Sequence, residues 1–454
     1  MQRTAWGLVE MRARGARHWR YPLVVIGLLS PVAQAGAQGI SAQPPSVTVR
    51  DNDDAPLRAT GNLPGLGGYP GRGLSLGATF ASRYESNLGR QGGDAAGFRL
   101  RPQADMRYGL ALGRQGLYVE GTVGRDIILG SDVIPDRNRY SAGAGLAYQL
   151  SRCTGQLGAS WQKSLAFETD ALAFGGFEQE RRNFGLSASC RLSAAISLEG
   201  SVIRQLVETS QRQFDPFGFN SWTYTAGLGF GSAALGRFSL SGALTNSEMP
   251  GRLVVTPDGL LEDGLRQKSL RLGYQRKFGS RISLGLGVSY IDSQPKFDES
   301  ILIIGGVPQL VPREGFSGLG YDVALDFVLS PRLSIDLTAA RSSFVNPVVG
   351  AQLTVANNYA AAVNYRLNER YSVAAGASFR RNDFRGGFVS ELEPFLRDSD
   401  QFDRFFGQFT AKMGRRLRIA LDVTHNRRRS DPQVFNFSST GAGINLGLDF
   451  GGSR

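Results

Sequence analysis

The side chains of this sequence that could do chemistry are basic and acidic residues that recur at every second position. Around residue 100, for example, Arg99, Arg101 and Arg107 share one parity with Asp105. Residues two apart in a β-strand lie on the same face, so such a set would line one wall. An excess of positive side chains on that wall would favour anions, whereas paired Arg and Asp would only stabilise it, and both interpretations are open. The set comprises Arg99, Arg101, Asp105, Arg107, Arg139, Arg271, Lys277, Asp322, Asp326, Asp336, Arg366 and Arg380.

The residues that catalysis or metal binding would need are nearly absent. The chain has two histidines; His18 lies in a basic N-terminal leader, which leaves His425 near Asp422 and Asn426. No serine is placed to form a Ser-His pair with His425, and no cluster of residues has the spacing of a metal site. The basic residues are spread along the chain, unlike a nucleic-acid-binding stripe. We therefore expect that the protein is not an enzyme and that it binds no cofactor, no metal and no nucleic acid.

The first 37 residues have the order of a cleaved signal peptide. Five arginines precede an apolar run that begins at Tyr21, and small residues follow at 33–37. The run is short and contains Pro31, which favours removal over retention as an inner-membrane anchor. Removal of the five Arg and Glu10 would leave a net charge of +8 instead of +12. Residues 38–72, rich in Pro, Gly, Ser and Asp, are expected to form a mobile periplasmic segment.

Strict alternation of apolar and polar residues begins after Gly73 and continues to the C-terminus. In one such segment Phe98 and Leu100 share one parity, while Arg99 and Arg101 share the other. Period-2 patterning indicates strands with one apolar and one wet face, and about eighteen such segments can be counted. Apart from residues 21–35 no long apolar run occurs, and the mean hydropathy is −0.18. A bundle of membrane-spanning helices is thereby excluded.

The connections between these segments alternate in length. Eight are short, such as residues 113–115 and 414–416, and nine are long and polar, such as residues 247–267 and 293–316. Transmembrane barrels have this asymmetry, with short periplasmic turns, long outer loops and an even number of strands. Aromatic residues of the apolar parity near segment ends would form girdles at the lipid head groups, and they include Tyr140, Tyr148, Trp222, Tyr290, Tyr365, Tyr371 and Phe405.

The predicted fold is therefore all-β, with residues 73–454 forming a transmembrane antiparallel up-and-down β-barrel of about 18 strands, within a range of 16–20. Its location would be the bacterial outer membrane, with outer-membrane lipid around it. A soluble propeller or sandwich also alternates, but it does not need lipid-facing aromatic residues. A barrel of this size is wide enough for an aqueous channel, which inward-folded loops could narrow.

The two cysteines lie on the apolar parity of neighbouring segments. If Cys153 and Cys190 face each other, Gly155 pairs with Ala188 and the leucines at 157 and 186 pair as well. A cross-strand disulfide at the periplasmic rim is then feasible, and the compartment is oxidising. The alternative is two unlinked thiols that act as small apolar residues.

Several short motifs resemble the outer-membrane β-barrel porin 2 family of proteobacteria. They are Arg83-Tyr84-Glu85-Ser86-Asn87, Arg99-Leu100-Arg101-Pro102, Tyr118-Val119-Glu120-Gly121 with Gly124-Arg125-Asp126, and Cys153-Thr154-Gly155 with Cys190. The resemblance would cover about residues 73–450 and brings no active site with it. It implies a barrel that takes part in exopolysaccharide or capsule export.

Three functions from different classes follow. The first is a passage for an anionic exopolysaccharide, served by periplasmic export partners, for which charge reversal at Arg101 and Arg107 should impair export. The second is a general diffusion porin for small solutes. The third is a closed structural barrel that organises an envelope complex through residues 38–72. No oligomeric state is predicted.

Overall fold

The computed structural model describes residues 72–88, 96–130, 136–166, 177–209, 218–232, 235–304, 307–345, 353–385, 399–414, 416–431 and 433–450. The predicted signal peptide and residues 38–71 of the predicted periplasmic segment lie outside the described residues. Among the residues that are described, no helix is long and apolar enough to cross a membrane.

The described residues form twenty strands, and eighteen of them belong to one sheet. Alternating apolar and polar residues produce these strands because each can then present one face to lipid and the other to the interior. The strands are β1 (Gly73–Glu85), β2 (Gly97–Leu112), β3 (Gln115–Leu129), β4 (Arg137–Leu150), β5 (Cys153–Ala166), β6 (Phe177–Arg191), β7 (Ile196–Thr209), β8 (Phe219–Ser232), β9 (Gly236–Thr256), β10 (Gly259–Phe278), β11 (Ile282–Pro295), β12 (Glu299–Ile304), β13 (Val307–Pro312), β14 (Phe316–Ser330), β15 (Leu333–Val345), β16 (Leu353–Arg366), β17 (Tyr371–Arg385), β18 (Ser399–Met413), β19 (Leu417–Asp431) and β20 (Phe437–Phe450).

The sheet closes on itself. Strand β1 pairs antiparallel with both β2 and β20, so that Leu76 lies opposite Met106 on one side and Phe450 on the other. Closure leaves no unpaired strand edge, which is the condition for β-structure in a bilayer. The predicted barrel of 18 antiparallel strands is thereby confirmed.

Connection lengths distinguish the two ends of the barrel. Short turns, such as the one between β2 and β3, lie at the end where β1 begins and β20 ends, and the long connections lie at the other end. Gly113 and Gly414, with φ of 62° and 71°, adopt at two short turns the left-handed conformation that favours glycine. In outer-membrane barrels the short turns are periplasmic, so the long connections mark the outer end.

Two predicted loops are wrong in part. Within residues 247–267 the chain continues as a hairpin of β9 and β10, which turns at residues 257–258, and within 293–316 the strands β12 and β13 form a separate hairpin. The alternation of apolar and polar residues does not predict these extensions, because strands beyond the bilayer have no lipid-facing side. Apolar residues can therefore follow one another, as in Ile301-Leu302-Ile303-Ile304, and the alternation that marks the membrane-spanning strands is lost.

Large apolar side chains cover the outer surface of the barrel, with Leu319 62% and Leu272 59% exposed. Exposed aromatic residues on this surface form two levels, as predicted. The outer girdle includes Tyr84, Phe98, Tyr140, Trp222, Tyr290, Tyr359, Phe379 and Phe405, and the periplasmic girdle includes Tyr108, Phe230, Tyr365, Tyr371 and Phe450. Tyr148 is half-buried, and its hydroxyl donates to the carbonyl of Ser187 at 3.2 Å.

The two cysteines lie directly opposite each other on β5 and β6, and a disulfide joins them. The register is the one predicted, since Gly155 pairs with Ala188 and Leu157 with Leu186. The bridge lies at the start of β5, next to a short turn, and therefore at the periplasmic rim.

Reducing this disulfide should lower the free energy of unfolding by about 2–4 kcal/mol, because the bridge closes a loop with a sequence separation of 37 residues. Urea unfolding of the refolded barrel in detergent, with and without dithiothreitol, measures the difference. The double variant Cys153→Ser/Cys190→Ser is the control and should not respond to the reductant. Identical curves for the native sequence in both conditions would contradict the prediction.

Beyond the outer rim, a buried ion cluster joins the β9–β10 hairpin to the connection between β11 and β14. Both Nη atoms of Arg313 donate to the Asp263 carboxylate at 2.9 Å, and Arg252 Nε lies 3.0 Å from Asp263 Oδ2. We term these three residues the loop clamp. Burial lowers the pKa of Arg252 to about 10 against the opposing effect of Asp263, so Arg252 still carries its charge at neutral pH.

The loop clamp borders an apolar cluster. Asp263 pairs with Met249 across the β9–β10 hairpin and lies two residues from Leu265. The cluster comprises Met249, Leu265, Leu353 and Val355, with Phe219 and Phe316 packed against it. The outer end of the barrel on the side of β8 to β16 is therefore a packed region with its own small core.

Candidate functional site

The strand registers place every charged residue predicted from the sequence on the face opposite the lipid-exposed side chains. Arg101 lies opposite Ala81, and Arg107 opposite Ser75, while their neighbours Leu76 and Met106 point to lipid. The same parity holds for Arg271, Asp322, Asp336, Arg366 and Arg380 on their strands. That these residues contact a permeant remains a prediction.

Arginines concentrate on one part of the inner face, in the outer half of the barrel. The strands that carry them are neighbours in the sheet, because β20 joins β19 to β1. We term this surface the arginine wall, and it comprises Arg83, Arg99, Arg101, Arg139, Arg380, Arg404 and Arg428.

Asp126 lies at the centre of one cluster in the arginine wall. Its carboxylate is 2% exposed, and Arg101 Nε donates to Oδ1 at 2.5 Å. Arg139 Nη1 lies 3.6 Å from Oδ2 of the same carboxylate. One carboxylate is thus shared by two guanidinium groups, which leaves this cluster with a formal charge of +1 on the inner face.

Other arginines of the wall have acidic partners of their own. Arg83 contacts Asp422 at 2.6 Å and Glu85 at 3.1 Å, and Arg428 contacts Asp400 at 2.5 Å with both side chains buried. The Arg83–Asp422 pair spans β20, and the Arg428–Asp400 pair joins the neighbouring strands β18 and β19. The interpretation that strand-borne Arg and acidic residues stabilise the barrel therefore applies to part of the arginine wall.

A different charge pattern occurs on β10, β14 and β15. Arg271 forms a two-pronged pair with Asp322, at 2.8 Å from Nε and 2.6 Å from Nη2. Nearer the periplasm, Asp326 lies directly opposite Asp336, which accepts a hydrogen bond from Asn364 at 2.7 Å. The inner face is therefore basic on one side in its outer half, whereas on another side two aspartates lie close together in its periplasmic half.

Sequence reasoning missed most of the acidic residues that accompany the arginines. Glu120 and Asp126 lie on β3 with the parity of Tyr118, so the alternation of that strand already places them on the inner face. Arg107 pairs with Glu120 at 3.4 Å, and Asp126 joins Arg101 to Arg139. The alternation could have found these residues, but their pairing required the register.

His425 does not belong to this site. It lies on the lipid-facing parity opposite Phe405, and its Nδ1 is 2.9 Å from the hydroxyl of Thr440. Within the described part of the chain, no group of three His, Cys, Asp or Glu residues could hold a metal ion.

The chemistry that the arginine wall offers is anion recognition. Guanidinium groups present planar donor forks that match carboxylates and phosphates, and they remain charged at all physiological pH values. Side chains fixed by neighbouring acidic residues on rigid strands present these donors in a defined position.

No protein family and no curated protein matches this chain. Among solved structures it is similar to OccK2 (OpdF) of Pseudomonas aeruginosa in complex with glucuronate, at 12% identity, 83% of this chain, 98% of that chain and a TM-score of 0.45. It is also similar to OccAB3 of Acinetobacter baumannii, at 11% identity over 83% of this chain and 98% of that chain, with a TM-score of 0.44. A BenF-like porin of Pseudomonas fluorescens Pf-5 matches at 10% identity over 83% of this chain and 99% of that chain, also with a TM-score of 0.44.

Membership of the porin 2 family stays a prediction. The assignment comes from the strands themselves: a closed sheet of 18 strands, an apolar outer surface and two aromatic girdles. The chain is therefore a porin-like β-barrel of the bacterial outer membrane.

Proposed function

We propose that this barrel is a passage for small anionic solutes, with the arginine wall as the surface that attracts them. Barrels of sixteen to eighteen strands leave an aqueous channel, so the size class suits diffusion of small solutes. Positive side chains that line such a channel raise the local concentration of anions.

The observation that carries the proposal is the shared carboxylate of Asp126. Arg101 and Arg139 both contact it, so the pairing that neutralises arginines elsewhere in the wall leaves a positive charge here. A wall built only for stability would match each guanidinium with its own carboxylate, as Arg271 is matched with Asp322.

Liposome swelling with two sugars of equal size tests the proposal. Galacturonate carries a carboxylate where galactose carries a hydroxymethyl group, so the pair differs in charge but hardly in volume. We expect the refolded mature chain to admit galacturonate faster than galactose. Equal rates would indicate a general diffusion porin, and no swelling with either sugar would indicate a closed structural barrel; both results contradict the proposal.

An anionic exopolysaccharide is the second candidate permeant, because the same guanidinium groups would hold the carboxylates of a glycan chain. It predicts that oligogalacturonate also passes through the barrel and that Arg101→Glu and Arg107→Glu reduce its passage. Entry of the monomer without the oligomer would favour the small-solute function over polysaccharide export.

A further inference from the structure

Three arginines lie on the lipid-facing side of the barrel just beyond the outer girdle. On β17, Arg381 follows Phe379 by two residues on the same face. On β19, Arg427 and Arg429 follow His425, which lies opposite Phe405. Arg381 and Arg429 are 68% and 50% exposed, and Arg427 is exposed as well. We term Arg381, Arg427 and Arg429 the outer basic patch.

Position in the barrel determines what surrounds this patch. Aromatic girdles lie at the level where acyl chains meet head groups. Residues two to four positions beyond Phe379 and Phe405, at about 3.3 Å per residue along tilted strands, reach into the head-group layer of the outer leaflet. The outer basic patch therefore faces lipid head groups and not the channel.

Acidic neighbours do not fully neutralise the patch. Arg381 pairs with Asp383 at 3.2 Å, and Arg429 lies 3.5 Å from Asp403. Across the residues the structure describes, no ion pair involves Arg427. Arg385 and Asp431, both exposed on the same faces of β17 and β19, add one charge of each sign. Four guanidinium groups thus face three carboxylates, which leaves a net positive surface.

At the same level on another part of the barrel, a second cluster of basic residues is balanced by acidic ones. On β5 and β6, Lys163 lies 3.0 Å from Glu178, and Arg182 contacts Glu180 at 2.6 Å and Glu208 at 3.3 Å. That cluster has no net positive charge to offer to a lipid. It provides the matched comparison for the outer basic patch.

The spacing of the patch indicates the size of its ligand. Arg381 and Arg429 both flank Gln401, so they lie two strand intervals, about 10 Å, apart. Arg427 and Arg429 are two residues apart, about 7 Å along one strand. These backbone spacings, together with the length of an arginine side chain, allow the patch to contact more than one phosphate of a single sugar head group.

We propose that the outer basic patch binds the phosphates of a phosphorylated glycolipid in the outer leaflet of the membrane. Arginine forks bind phosphate oxygens in a two-pronged geometry, and the partly dehydrated head-group layer strengthens such contacts. The site is independent of what passes through the barrel, since it lies on the opposite face of the strands.

Native mass spectrometry of the refolded mature chain in detergent, titrated with bisphosphorylated lipid A, tests the proposal. We expect Arg427→Gln/Arg429→Gln to weaken binding at least about tenfold, because two charged contacts to phosphate are lost. The variant Arg381→Gln should weaken it to a smaller extent. Removing the phosphates from the lipid should abolish the preference for the native sequence.

The double variant Lys163→Gln/Arg182→Gln is the matched control and should bind the lipid as the native sequence does. Heat-modifiable migration in gels shows that each variant has folded. Equal binding by the native sequence and by folded Arg427→Gln/Arg429→Gln would overturn the proposal, as would equal binding of the phosphorylated and dephosphorylated lipids.

Discussion

Replacing both arginines that contact Asp126 with glutamate should invert the ion preference of the channel. In the variant Arg101→Glu/Arg139→Glu the formal charge of this cluster changes from +1 to −3. A unit charge about 4 Å from an ion is worth about 1 kcal/mol in water, which corresponds to about fivefold in local ion concentration. A change of four units outweighs screening at low salt, so chloride preference should become potassium preference.

The milder variant Arg101→Gln/Arg139→Gln should shift the ion preference in the same direction. It perturbs the arginine wall less, because it does not add carboxylates beside the buried Asp126. It should reduce chloride preference without a full inversion. Reversal potentials in a planar bilayer under a KCl gradient measure both variants. The control Arg266→Gln/Arg427→Gln removes two arginines from the lipid-facing surface and should leave the reversal potential unchanged. Unchanged selectivity in folded Arg101→Gln/Arg139→Gln would show that the wall only stabilises the barrel.

Removing the carboxylate of the loop clamp should open the outer end of the barrel on the side of β9 and β10. In Asp263→Ala the guanidinium groups of Arg252 and Arg313, 6% and 7% exposed, lose the carboxylate they share. Breaking a buried ion pair by removing one partner typically costs about 3–5 kcal/mol. Amide hydrogen exchange across residues 250–264 and 307–313 should therefore accelerate by a factor of 100 or more, about 3 kcal/mol of lost protection.

A triple variant distinguishes the charge of the loop clamp from its packing. Arg252→Met/Asp263→Leu/Arg313→Met replaces the whole cluster with apolar side chains of similar size, which in buried ion networks is often neutral or stabilising. Slow exchange in the triple variant together with fast exchange in Asp263→Ala is the expected result. Native-like exchange in Asp263→Ala would contradict the role of the clamp in joining the two connections.

The fold could be predicted from the sequence because the bilayer imposes a simple rule on each strand. Apolar residues such as Leu319 and Leu272 must face lipid, so period-2 alternation marks every membrane-spanning strand and the face of each side chain. The same alternation placed Cys153 and Cys190 on one parity of neighbouring strands, and the structure confirms the hypothesis that they lie opposite each other.

The site could be predicted only in part because pairing across strands depends on the register. The alternation predicted that Arg101 and Arg139 share the inner face, but their common contact with Asp126 requires β2, β3 and β4 to align residue by residue. Arg313 and Asp263 lie 50 residues apart in connections that follow no period, so no sequence pattern indicates that they meet. The alternation that makes the strands predictable applies only to residues within the bilayer.

The reversal potential of the native sequence without residues 1–37 in a planar bilayer, under a KCl gradient at low salt, tests the central claim most directly. An arginine wall that attracts anions predicts discrete open channels whose reversal potential lies toward that of chloride. A folded barrel that conducts no current, or one whose reversal potential lies toward that of potassium, would contradict the account.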